Sequence, residues 1–194
     1  MQYTVGAGVP AGVTDAMVAG QCFWYSTAAT GVALAVVGTG SAPMIWNPSD
    51  SNRKLHVIQV NIGYVSGAVA AQHVGWGLFL NVGSTKGTAQ PIVSCTEVAA
   101  VNAILGASGQ ASHMRFAPAT VSMTGGPSYA GTYGISSGGA VGAGPLYQMI
   151  DYTWGKITIP PGVAFFPAIT GGTFTMTASV AVFGWEEPIA AAGG

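Results

Sequence analysis

Ionised side chains are what this sequence has least of. Six acidic and five basic residues make 6% of the 194 positions, where an ordinary soluble domain carries roughly 25%. The five cations, Arg53, Lys54, Lys86, Arg115 and Lys156, form no cluster along the chain. Phosphate neutralisation needs clustered cations, so direct nucleic-acid binding is not expected. The formal net charge of −1 leaves little electrostatic repulsion to oppose self-association. We read the chain as a subunit largely covered by copies of itself or by a larger assembly. The blander alternative is a compact domain surfaced with Ser, Thr, Gly and Asn.

Cysteine is nearly absent too. Cys22 and Cys95 sit in apolar or strand-like settings, and two free thiols fit them better than a secreted disulfide scaffold. The first residues, Met1-Gln2-Tyr3-Thr4, lack the positive region of a signal peptide. The long apolar stretch over residues 157–185 carries Pro160, Pro161 and Pro167, and its Thr residues alternate with apolar ones. That is strand patterning and not a membrane helix, so no membrane partner is expected.

Apolar residues are plentiful, at 49%, enough for one domain with a real core. Residues 46–66 set the pattern. A turn cluster, Trp46-Asn47-Pro48-Ser49-Asp50-Ser51-Asn52, precedes a run in which Ile58, Val60, Ile62 and Tyr64 share one face and Gln59 and Asn61 the other. The same grammar of turn and alternating strand recurs at residues 21–25, 31–37, 74–82, 119–123, 146–152, 154–159, 163–166 and 173–185. Residues 97–105 fit a short helix or a strand. Residues 125–144, rich in Gly, Ser and Tyr, exceed a hairpin loop and read as a functional or disordered loop. The expected architecture is all-β: an antiparallel, jelly-roll-like sandwich over residues 16–188, an extended arm over 1–15 and a loose tail over 189–194.

Catalytic and metal signatures are weak. Gly134-Ile135-Ser136-Ser137-Gly138 has the spacing of a nucleophile elbow, but the glycines after it cannot open a helix, so a Ser/Gly loop is the better account. His56, His73 and His113 have no metal-ligand spacing with each other or the cysteines. Asp50 reads as a turn-former, since the other calcium-loop ligands are missing. Glu186 and Glu187 are adjacent, so on a strand they face opposite ways and cannot act as a pair. No enzyme activity, metal or cofactor is expected. Five tryptophans raise the idea of sugar binding, against core packing as the simpler account. The residues expected to meet a partner are Tyr129 and Tyr133 in the Gly-rich stretch and Trp185 at the end of the last strand.

Three stretches resemble a group of small tailed-bacteriophage virion proteins. They are Ile45-Trp46-Asn47-Pro48-Ser49-Asp50-Ser51 with its strand ending Gly63-Tyr64-Val65-Ser66-Gly67; Ala103-Ile104-Leu105-Gly106-Ala107-Ser108-Gly109 followed by residues 112–117; and Gly155-Lys156-Ile157-Thr158-Ile159-Pro160-Pro161-Gly162, with Asp151-Tyr152 before it and a final strand closing on Trp185-Glu186-Glu187-Pro188. The likeness implies a β-sandwich subunit of the virion, as decoration, spike, fibre or tail component, and no catalytic residues. Implied partners are further copies of the chain, with a trimer favoured by analogy with jelly-roll spikes, and other virion proteins such as capsid or tail subunits. A host surface glycan is the competing partner.

Overall fold

The computed structural model describes residues 11–28, 30–34, 43–67, 72–79, 92–103, 111–118, 121–123, 128–135, 148–169 and 176–189. Alternation of apolar and polar side chains folds them into an all-β sandwich of two antiparallel sheets. In chain order the elements are α1 (Ala11–Val18), β1 (Cys22–Ser26), β2 (Val32–Leu34), β3 (Met44–Asn47), β4 (Arg53–Gly67), β5 (Gln72–Phe79), β6 (Ile92–Ser94), β7 (Val101–Asn102), β8 (Arg115–Ala117), β9 (Ser122–Met123), β10 (Ser128–Ile135), β11 (Gln148–Ile159), β12 (Val163–Ile169) and β13 (Met176–Pro188). The first sheet runs β11-β4-β13-β1-β7, with β2 also pairing β13. The second runs β10-β5-β12-β3-β8, and β6 pairs β9 apart from both.

The inner faces supply one core. Phe23, Tyr25, Leu55, Val57, Val60, Ile62, Val180 and Val182 enter it from the first sheet, and Ile45, Phe116, Val163 and Phe165 from the second. Each buried large side chain is worth about 1.5–3 kcal/mol of transfer free energy. A smaller cluster of Met44, Trp46, Ala164, Phe166, Ala117 and Val121 covers the other face of β3 and β12. This explains why all four residues of β3 are buried.

The opening turn behaves as its sequence dictates. Asn47 is fully buried, and its amide nitrogen donates to the carbonyls of Arg53 at 2.7 Å and Ile159 at 3.0 Å. Its amide oxygen accepts from the Ser51 hydroxyl. Asn52 takes the left-handed conformation, φ 56°, that Asn tolerates better than most residues. At the far end of the same staple, Pro161 and Gly162 (φ 80°) turn β11 into β12.

Three sequence expectations change and one open alternative is decided. Residues 11–15 are helical, not part of an extended arm; residues 1–10 lie outside the described residues. The helix forms because Val13 and Ala16 bury one flank against the first sheet, with Gly12 beside the Trp185 ring. Its end is a Schellman motif: Gly20 sits at φ 71°, its N–H donates to the Met17 carbonyl, and Gln21 N–H donates to Ala16. Of residues 97–105, read as helix or strand, those described to residue 103 hold no helix: Val98 bridges Phe116 and β7 pairs β1. Residues 128–135, expected as loop, form β10 against β5; residues 136–144 lie outside the described residues. Finally, the two strands expected over 146–159 are one, β11, broken in register between Tyr152 and Ile157, where residues 153–156 stand opposite Ile58 alone; against β13, Ile58 is itself the extra residue of a bulge in β4. Both Val57 and Ile58 are buried as a result.

Candidate functional site

Period two along β13 continues further than the apolar run suggests. Ala178, Val180 and Val182 face the core, then Gly184, then Glu186. Glu186 is therefore a carboxylate on the buried face, 1% exposed. Glu187, its neighbour, faces outward, as adjacent strand residues must. Gly184 is required by close approach: a Cβ there would stand 2.8 Å from the His56 carbonyl oxygen.

A buried carboxylate needs donors, and Glu186 finds them in the segment that leads into β8. Ser112 Oγ donates at 2.5 Å to Oε1. The His113 backbone N–H reaches both oxygens, at 3.0 and 3.1 Å, and His113 Nδ1 lies 3.0 Å from Oε2. Tyr25 Oη, fully buried on β1, is 3.3 Å from Oε1 and 2.9 Å from Ser112 Oγ. Burial first, then the charge of Glu186, hold the Tyr25 phenol well above its ordinary range, so it remains a donor. The cluster fastens a β13 side chain of one sheet to the lead-in of an edge strand of the other.

What this arrangement can do chemically follows from its directions. A carboxylate only accepts, so the imidazole carries its proton on Nδ1, with the His113 side chain 47% exposed. That is the orienting half of a nucleophile–base–acid relay. The nearby hydroxyl, Ser112, spends its proton on Glu186 and not on the imidazole, so no nucleophile–base pair is assembled here. Among the described residues no group of three or more His, Cys, Asp or Glu side chains could hold a metal ion. A void of about 10 Å³ beside Tyr25, Met44 and Phe165 is at most water-sized.

The outer face of the first sheet carries the second arrangement. Val101, Trp24, Phe183 and Gln59 fall in one register row across β7, β1, β13 and β4. Trp24 stacks on Phe183, ring centroids 4.7 Å apart. One row along, Trp185 stacks on His56 at 4.4 Å. His56 in turn meets Glu187 at 2.9 Å through Nε2 and Thr158 at 3.1 Å through Nδ1. Gln59 donates to Asn61 at 2.8 Å. Next to the row lie Ser26, Ala181 and Asn61, again without charge.

The residues expected to meet a partner are thus separated. Trp185 lies half-buried on that outer face, between His56 and α1. The backbones of Tyr129 and Tyr133 lie on β10 of the other sheet, opposite Gly77 and Val74; their side chains lie outside the described residues, as do Ser136, Ser137 and Gly138, while Gly134 and Ile135 close β10. Asp15 is exposed on α1, and Glu97 pairs Arg115 through two bonds of 2.7 and 2.8 Å, so neither joins Glu186. Cys22 and Cys95 are thiols and are not joined in a disulfide. The Glu186 cluster was missed in the sequence. The signal for it was parity: an even-numbered residue continuing an even-numbered core face. No family model matches this chain, and neither a curated protein nor a solved structure matches it.

Proposed function

We propose that the chain is a non-enzymatic structural subunit of a bacteriophage virion, a capsid decoration, spike or tail and fibre component. It assembles with its own copies and with capsid or tail neighbours. The observation that carries this reading is the uncharged row of Val101, Trp24, Phe183 and Gln59 on the outer face of the first sheet. Covering this row removes apolar and amide surface from water without desolvating an ion. Val101, at the margin of that face, is a large apolar side chain 57% exposed. Strand order supports the same reading: β1-β13-β4-β11 facing β3-β12-β5-β10 is compatible with a jelly-roll-like winding. The likeness of the three quoted stretches to small virion proteins supplies the particle.

Host-glycan recognition competes with this. A sugar ring needs an open aromatic face. Trp24 and Trp185 each give one face to a neighbouring ring, which favours packing over sugar binding. The deciding measurement is mass spectrometry of purified particles of the phage that encodes the chain. Stoichiometric copies in the particle are expected; a chain abundant in infected cells and missing from particles would overturn the reading.

A further inference from the structure

Two sheets have four margins, and these margins differ. β7 and β2, which lie on the same side of the first sheet, are two and three residues long. β8 is three residues long, begins with Arg115, and is bridged by Val98. β11 is long but carries Asp151 and Lys156 and loses register between Tyr152 and Ile157. Shortness, coverage, charge and bulging are the devices that keep a sheet edge from pairing with another chain. β10, the remaining margin, has eight residues, Ser-Tyr-Ala-Gly-Thr-Tyr-Gly-Ile, with no charge and no proline. It is regular from Gly131 to Ile135, and among the described residues it pairs β5 alone.

We propose that β10 is the edge through which two copies of this chain join, strand against identical strand and antiparallel. The inference rests on the assembly reading above and names its contact. The occupant follows from charge. An edge with no ionised group meets no repulsion from a copy of itself, and the whole chain carries a net charge of only −1. An eight-residue strand turns roughly four N–H and four C=O groups outward, and an antiparallel partner satisfies all of them. Pairing of one strand with itself is two-fold symmetric, so it builds dimers and even-numbered assemblies. It also brings Tyr129 and Tyr133 of both copies to one seam.

The test places a charge at the middle of the seam. In a centred register Thr132→Lys sets two ammonium groups close across the two-fold axis. Ser66→Lys, on the exposed end of β4, adds the same charge elsewhere. Sedimentation and native mass spectrometry should find an even-numbered oligomer, weakened about tenfold or more by Thr132→Lys and unchanged by Ser66→Lys. Hydrogen exchange of the unaltered protein gives a reading independent of whether the variant folds: β10 amides should gain protection as concentration rises, while β4 and β13 amides hold theirs. Equal weakening by both variants, a trimer, or β10 amides indifferent to concentration would overturn the seam. An oligomer with freely exchanging β10 amides ends this interface and leaves the assembly reading standing. A monomer that is also missing from particles ends both.

Discussion

Asn47 and Glu186 do the same job at two places in the sandwich, by different chemistry. Each is a buried polar side chain that ties together segments distant in sequence. Asn47 is neutral, and two of its three partner residues, Ser51 and Arg53, lie within six positions of it. Glu186 is ionisable, and its partners lie 73 to 161 positions away. The neutral staple is a turn motif that happens to be buried. The charged one exists only once both sheets have met.

That difference sets an order of expected effects. Glu186→Gln should cost most, about 3 kcal/mol in denaturant unfolding, because an amide presents N–H where the His113 N–H and Ser112 hydroxyl need an acceptor. Equal stability of this variant and the parent would mean that the carboxylate is not what holds residues 112–113. Asn47→Ala should cost about 2 kcal/mol, leaving the Arg53 and Ile159 carbonyls without their donor. If it costs more than Glu186→Gln, the local staple is the stronger one and the comparison reverses.

The smallest effect is alkaline. Burial pushes the Cys22 thiol up from 9.0 to about 12. Between those values the unfolded chain releases a proton that the folded chain keeps, so stability falls as pH rises through this window. At pH 10 the loss is about 1 kcal/mol. Cys22 pairs Trp185, one residue from Glu186, so this titration reports on the charged end of the sandwich only. A Cys22→Ala variant should show a flatter alkaline limb of its pH–stability curve; an unchanged limb would assign the loss to Tyr25 instead.

Legibility in the sequence divides along the same line. The turn at Asn47 and the alternation through Ile58, Val60 and Ile62 were readable because both are local. So was the opposition of Glu186 and Glu187, which depends only on strand geometry. The partners of Glu186 were not, because no local rule brings Ser112 to residue 186. The Gly and Ser content of residues 125–144 speaks for a loop and hides β10, although its Tyr, Thr and Ile residues favour a strand; pairing with β5 settles it. α1 is short and its apolar stripe is two residues wide, yet Pro10 before it and Gly20 after it were a usable signal. Trp185, expected to meet a partner, lies on the outer face against His56.

The stretch from the Val98 bridge to β7 has a mechanical consequence. It leaves the margin of one sheet at Phe116 and reaches the margin of the other at Phe23 and Trp24, where Ala103 N–H also meets the Cys22 carbonyl at 2.9 Å. The two layers are bound there as pages are bound along a spine. A force that parts them works against this binding on one side, and the sandwich yields as a leaf turns, with its far margin travelling furthest.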